Sequence, residues 1–419
     1  MGRVASSNQH YRPGDGHPDW NELDRRAGEL VEEVCGVIEF DTGKLEERAL
    51  EARRVARGLE TFGRSMLTNH FRLRTGKHYL LPPYFIWTML NRCNFRCTYC
   101  DNHSNKGYYD LPEIEVLDLE NSKRLLEIIG RNVSAIYFCG GEPTLSQELP
   151  ELAEHAHSAG YFPIMINTNG SRFHVILKDS RYKRLLKNLD TIIVSLDALN
   201  IEKLAGVWGI TRSLCEQVVV NILALRRLRE KVRFKLIVNT VITPDTIGEA
   251  DSILDWANDM DIWFSPVPMN CGPEIDEGLK SNPEYEALCE KIVSRKKEGY
   301  KILGSAKLIR GLVEGKQIKC FPSLIPHVDG DGYTYWPCKT ASRIEPVKLN
   351  VLDYASFDDL YRDAEKMISV KDIHGYGPGQ CGADCHWMQH HVSDALANGI
   401  EKPLRSGALL EILEFIGRV

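Results

Sequence analysis

No stretch of this chain is apolar for long enough to cross a bilayer. The longest apolar run, residues 79–90, is interrupted by Pro82-Pro83 and falls well short of the roughly 20 residues a spanning helix needs. Positive charge is not in excess either. The balance of 52 Lys and Arg against 58 Asp and Glu leaves a net charge of -6, which removes the electrostatic reason to expect a nucleic-acid partner. The opening MGRVASSNQHYRPGDGHPDW lacks a signal-peptide core, so a reducing, cytoplasmic setting is expected. Gly2 and Ser6 fit only a short, common myristoylation pattern. Internal repeats and low-complexity tracts are missing beyond the termini.

Cysteine is not scarce. With no secretory signal, twelve cysteines in 419 residues read as metal or redox ligands wherever they cluster. One group is Cys93, Cys97 and Cys100; the other is Cys320, Cys338, Cys381 and Cys385. Cys35, Cys139, Cys215, Cys271 and Cys289 are scattered and read as small buried hydrophobes.

Residues 1–18 read as disordered. Amphipathic spacing predicts helices from there to about residue 75, with Leu45, Ala49, Ala52, Ala56 and Leu59 on one face. Apolar runs then alternate with helical patterns: YFIWTML (84–90), SAIYFCG (134–140), FPIMINTN (162–169), TIIVSLD (191–197), FKLIVNTVIT (234–243) and IWFSPVPM (262–269). Six such repeats predict an α/β fold with a parallel sheet buried on both faces, closed as a partial (β/α)6 barrel. The polar motifs NRC, CGGEP, NTNG and SLD fall at the carboxyl ends of the predicted strands, where such folds place their chemistry. A Gly-, Pro- and acid-rich break at 270–285 divides the chain into a helical region (1–75), a barrel (76–270) and a C-terminal α+β domain (271–419). In the last, DGDG at 329–332 reads as a hairpin turn.

Three thiolates from one loop, in C-x3-C-x2-C spacing, suit a [4Fe–4S] cube whose fourth iron stays open. Zinc with His103 as the fourth ligand is the competing reading. This spacing after the first strand, followed by GGEP after the second, resembles the radical S-adenosylmethionine enzymes over residues 80–270. The resemblance implies that Cys93, Cys97 and Cys100 hold the cluster and that its open iron binds S-adenosylmethionine. A 5′-deoxyadenosyl radical would then abstract a substrate hydrogen. Also by resemblance, Tyr99 lies beside the adenine, and Gly140, Gly141, Glu142 and Pro143 meet the methionyl ammonium. Asn169 ends the third strand in the family-like NTNG, and Ser195 and Asp197 contact the carboxylate or ribose. A low-potential electron donor of flavodoxin or ferredoxin type is implied as a partner.

The second cysteine set brackets the hairpin with Cys320 and Cys338 and adds Cys381 and Cys385. It resembles the single-cluster twitch form of the SPASM/twitch group, in particular the aminocyclitol dehydrogenases, and implies an auxiliary [4Fe–4S] cluster. Zinc is the alternative, helped by His386, His390 and His391, which otherwise read as solvated surface histidines. The expected substrate is a small polar molecule such as an aminocyclitol, sugar or aminoglycoside, with dehydrogenation, elimination or epimerisation as the outcome. A peptide or lipid substrate is the alternative, and a non-catalytic electron carrier the remote one. Cys139 and Cys271 are conceivable hydrogen donors for epimerisation.

Overall fold

The structure, a computed structural model, describes residues 16–37, 45–101, 106–182, 184–316, 318–339, 345–372 and 385–401. His103 and Cys381 lie outside the described residues, as do residues 1–15.

The six apolar runs form β1 (Tyr84–Thr88), β2 (Ala135–Cys139), β3 (Ile164–Thr168), β4 (Thr191–Ser195), β5 (Lys235–Ile242) and β6 (Trp263–Pro268). Each pairs in parallel with the next. Helices α1 (Trp20–Val37) and α2 (Leu45–Arg74) precede them. The connections carry α3 (Leu119–Gly130), α4 (Leu149–Ala159), α5 (Phe173–Ile176), α6 (Leu185–Asn188), α7 (Ile201–Trp208), α8 (Arg212–Leu228) and α9 (Ile247–Asp259). Helices α3 and α8 start at side-chain caps: Asp118 accepts from the Asn121 amide before α3, and Thr211 from the Leu214 amide before α8. Such caps satisfy backbone donors that the helix itself cannot. Helix α8 then buries Val218, Val219, Ile222, Leu223 and Leu225 in the core, each worth about 1.5–3 kcal/mol of transfer free energy, and α1 packs against it.

Beyond β6 come a short antiparallel pair, β7 (Asn270–Cys271) and β8 (Glu274–Ile275), then α10 (Pro283–Lys297) and α11 (Ala306–Val313). Strands β9 (His327–Asp329), β10 (Tyr333–Trp336) and β11 (Val347–Asn350) precede α12 (Phe357–Met367) and α13 (Met388–Glu401). The DGDG turn forms as expected, with the Gly332 amide donating to the Asp329 carbonyl at 2.9 Å. What the sequence pattern did not reveal is where the hairpin goes. β9 runs parallel to β1, with Thr88 opposite Asp329, so one sheet of order β11-β10-β9-β1-β2-β3-β4-β5-β6 crosses the expected boundary at residue 270. An unpaired β1 would present open backbone groups, and β9 satisfies them.

The N-terminal region is helical as expected, with no strand among its described residues. Arg54 of α2 forms a two-pronged bond to Asp190 (2.7 and 2.9 Å) and also reaches the Tyr161 carbonyl. The expectation of disorder to residue 18 fails at its end, because the Gly16 carbonyl accepts from the Ile201 amide at 2.8 Å. Residues Tyr79 to Leu81 are buried on the way into β1, so this aromatic lead-in serves packing. Among the described residues, no helix is long and apolar enough to cross a membrane.

Candidate active site

The cysteine loop leaves the carboxyl end of β1 and is stitched down on both sides. On one side the amides of Gly141 and Glu142 donate to the carbonyls of Leu90 and Arg92, at 2.8 and 2.9 Å. A Cβ on Gly141 would meet the Arg92 carbonyl oxygen at 2.2 Å, and one on Gly140, at φ +138°, the Leu90 carbonyl at 2.5 Å. The two glycines of GGEP are thus required by close approach of the chain's own loop. On the other side, the amides of Arg96 and Thr98 donate to the carbonyls of Trp208 and Val207 at the end of α7 (3.0 and 2.9 Å). The Phe95 and Trp208 rings pack with centroids 5.2 Å apart.

Glu142 is fully buried, and its carboxylate accepts four hydrogen bonds. Oε1 takes the Thr144 amide (3.0 Å), the Thr144 hydroxyl (2.6 Å) and the Thr168 hydroxyl (2.7 Å), and Oε2 takes the Asn169 amide (2.7 Å). The side chain expected to meet an ammonium therefore ties the end of β3 to the GGEP turn. Pro143 begins a buried helical turn at 143–145. Asn169 donates to Asn94 Oδ1 at 2.9 Å, and Asn94 donates to the Ser171 hydroxyl at 2.9 Å, so the third strand's end grips the cysteine loop as well.

Asp197 is fully buried at the end of β4. It accepts the Tyr99 hydroxyl (2.5 Å), the Trp208 indole N–H (2.5 Å) and the Val241 amide (2.8 Å). Burial outweighs these bonds and raises its carboxyl to about 6. Tyr99 and Asp197, expected to contact the cofactor separately, are bonded to each other. Ser195 is half-buried at the end of β4, opposite Asn239. Thr144, Thr168, Asn94 and Trp208 were not anticipated. The Trp-Gly that ends α7 was the one legible sign among them.

Cys93, Cys97 and Cys100 are half-buried together on this loop. Burial pushes the Cys93 thiol up to about 11 and those of Cys97 and Cys100 upward too. Such thiols are protonated at neutral pH, and metal binding must displace their protons. Among the described residues, no three His, Cys, Asp or Glu side chains are gathered closely enough to hold a single metal ion. The fit to a [4Fe–4S] group therefore rests on donor chemistry: three soft sulfurs on one fastened loop.

Cys139 ends β2 with its sulfur 4.0 Å from the Thr88 hydroxyl, and burial pushes its thiol up to about 12. Cys271 is exposed and donates to Asp276 at 3.1 Å, which overturns the expectation that it is a packing cysteine. Cys215 and Cys289 are buried as expected, whereas Cys35 is only half-buried.

In the C-terminal set, Cys338 and Cys385 converge on His390: Nε2 lies 3.4 Å from Cys338 Sγ and Nδ1 2.5 Å from Cys385 Sγ. Ser393, one turn further along α13, accepts the Phe321 amide beside Cys320 at 3.1 Å. His390 and His391 are buried, not solvated; their helix lies against α11 and α2, and desolvation lowers their imidazoles to about 4 and about 3.

Residues 87–257 match the Radical SAM superfamily, and the fold of that segment is the expected partial barrel. Over 126 residues the chain is 32% identical to a probable GTP 3′,8-cyclase of Saccharolobus islandicus, covering 29% of this chain and 37% of that protein. It is 33% identical over 115 residues to a 7,8-dihydro-6-hydroxymethylpterin dimethyltransferase of Methanocaldococcus jannaschii, 26% of this chain and 21% of the other. The match thus spans between about a fifth and little more than a third of these curated relatives' length. The crystal structure of Streptococcus suis SuiB bound to S-adenosylmethionine superposes with a TM-score of 0.53 at 16% identity, covering 72% of this chain and 71% of SuiB. That likeness concerns the fold.

Proposed function

We propose that the chain is a radical S-adenosylmethionine enzyme acting on a small polar substrate. The observation that carries the reading is the three-cysteine loop, bonded on one flank to GGEP and the NTNG strand end and on the other to the end of α7, with its Tyr99 held by Asp197 of SLD. Cys93, Cys97 and Cys100 would hold the [4Fe–4S] group, which, when bound with S-adenosylmethionine, supplies a carbon radical able to take a hydrogen atom. The chain's own contribution is placement. Glu142 and Asn169 fix the distance between loop and strand ends, and α7 fastens the loop's far side through the Arg96 and Thr98 amides. Tyr99, held by Asp197, presents an aromatic face whose orientation is locked.

The reading of a polar substrate rests on β9. Its last residue, Asp329, accepts Lys339 Nζ and the Tyr335 hydroxyl, both at 2.6 Å, and sits opposite Thr88 at the carboxyl end of the sheet. This buried ion pair adjoins the end of β2 that carries Cys139. A carboxylate–ammonium–phenol group there suits hydroxyl or amino groups, as in an aminocyclitol or sugar, and can exchange protons with them. Cys320, Cys338 and Cys385, with Cys381, would hold an auxiliary [4Fe–4S] cluster, which when bound would supply a one-electron acceptor for a net dehydrogenation, with the Asp329–Tyr335–Lys339 group there to take the accompanying proton.

The test compares anaerobically reconstituted wild type with the Cys93→Ala/Cys97→Ala/Cys100→Ala variant by iron, sulfide and EPR. Two four-iron clusters predict about eight irons falling to about four. S-adenosylmethionine cleavage to 5′-deoxyadenosine should vanish in the variant. About four irons falling to none, with zinc retained, would leave the C-terminal site structural and remove the basis for dehydrogenation.

A further inference from the structure

The parallel strands have two unlike faces. Phe85, Ile136 and Ile164 join the core that the helices cover, whereas Ile86, Ala135 and Met165 belong to a separate inner cluster with Tyr137 and Cys139 beside it. Toward the carboxyl ends, Tyr137, Cys139, Asn167, Ser195, Asn239 and Val241 keep part of their surface open, while Phe138, Ile166, Val194 and Val238, on the opposite face, keep none. This alternation of open and closed positions marks an interior chamber. One row of side chains crosses its wall. Asp329 stands opposite Thr88, Thr88 opposite Cys139, and Asn167 follows one step beyond the Phe138–Ile166 pair. Asp329 is bonded to Lys339 and Tyr335, and the Thr88 hydroxyl lies 4.0 Å from the Cys139 sulfur. Asn167 is the exception, because its Oδ1 is buried and has no hydrogen-bond partner. A buried amide oxygen without a donor is costly to keep, and here it is a binding capacity left open.

We infer that Asn167 recognises the substrate, and that the group it takes is a hydroxyl of a polyhydroxylated ring whose other side meets Asp329 and Lys339. The inference rests on the radical-enzyme reading above and adds a specificity residue to that same site. A hydroxyl donates to the amide oxygen and accepts from the amide nitrogen, so it satisfies a carboxamide at either atom. A carboxylate only accepts, and would face Oδ1 without a proton to offer. Depth separates this contact from those expected for S-adenosylmethionine. Tyr99, Glu142, Asn169 and Asp197 stand at or beyond the strand ends, and the Asn169 amide is already given to Glu142. Asn167 lies two residues further in, about 6.6 Å down the strand. Along the wall, three strand spacings of about 4.8 Å put about 14 Å between the backbones of Asp329 and Asn167. Side chains on the inside of a curved wall converge, so one ring with polar groups on both sides can reach both. A molecule with a single polar end cannot. Thr88 and Cys139, the small side chains in the middle of the row, leave the room for that ring.

Binding and stability test the proposal without turnover. Calorimetric titration of the reconstituted full chain, with S-adenosylmethionine present, should show binding of the aminocyclitol scyllo-inosamine. Cyclohexylamine, the same ring and amine without hydroxyls, should bind about tenfold more weakly or worse. Asn167→Leu, close in shape but without the amide, should lose about tenfold of the scyllo-inosamine affinity or more. Asn167→Asp, which keeps the oxygen, should recover part of it. Without ligand, the Leu variant should match or exceed the wild-type urea midpoint, since an unsatisfied buried amide has gone. A lower midpoint would make Asn167 a structural residue and overturn the proposal. Equal scyllo-inosamine affinity in wild type and Leu variant overturns it too, as does an equal loss of S-adenosylmethionine affinity, which would move Asn167 to the cofactor. A wild type that forms 5′-deoxyadenosine with dithionite but binds no scyllo-inosamine sinks the hydroxyl site and leaves the radical reading. One that binds scyllo-inosamine through Asn167 yet forms no 5′-deoxyadenosine does the reverse.

Discussion

Gly141 shows how much a single hydrogen atom can decide. Its neighbours leave no room for a methyl group: the Arg92 and Asn91 carbonyl oxygens lie 2.2 and 2.4 Å from where a Cβ would stand. Both are backbone atoms of the cysteine loop and cannot swing aside like the end of a side chain. Gly141→Ala should cost about 1–3 kcal/mol of stability as an overpacking change, and iron bound after reconstitution should fall because the loop is displaced. Wild-type iron content with an unchanged urea midpoint would refute this. Asp197 makes a second prediction, with a sign. Its carboxyl rises from an ordinary 3.8 to about 6 in the fold, so folding favours the protonated form. Relative to Asp197→Asn, the apoprotein should lose stability as pH climbs from about 4 to about 6, by an amount on the order of 3 kcal/mol. Parallel stability curves for the two proteins across that window would show that Asp197 does not titrate there.

Elements are held together by groups that no periodicity announces. Arg54 on α2 and Asp190 before β4 have side chains exposed to only 3% and 1%, and Asp190 also accepts the Ile164 amide at 2.7 Å. Arg54→Met takes the balancing guanidinium from this buried carboxylate and should cost about 3–5 kcal/mol, read as a lower urea midpoint at unchanged m-value. Little change would mean that the Arg54 pairing contributes little to holding α2 on the barrel. The strands themselves were legible, because each is a short β-branched or aromatic run between Gly, Pro and polar breaks, and both faces of a parallel sheet demand that pattern. The cysteine spacings and GGEP were legible because local geometry constrains them. The partners were not. Asp329 looked like one more turn residue in DGDG, and nothing nearby in sequence tells that β9 lies beside β1. Likewise Trp208 meets Asp197, and Asn94 meets Asn169, only after the barrel has closed. His390 and His391 looked like surface residues because helical spacing does not reveal which face another helix covers.

At the scale of the molecule, the sheet order makes the C-terminal region a structural continuation of the barrel. Ending the chain after Met269 would remove β9 and its parallel bonds to β1. It would also remove Leu303, whose amide donates to the Phe264 carbonyl of β6 at 2.9 Å. Both edges of the six-stranded sheet would then be open at once, and β1 is buried along its whole length in the intact chain. A newly exposed, largely apolar edge strand is a template for pairing with another copy. Residues 16–269 expressed alone should therefore elute as aggregates in size-exclusion chromatography, even if the three cysteines are left untouched. A soluble, monomeric fragment that still binds about four irons would mean that the C-terminal strands are an accessory laid on a barrel stable by itself. Aggregation relieved by co-expressing residues 270–419 would tie the cause to the missing strand pairing, and would place the Asp329–Lys339 group at a seam that both halves of the chain must complete.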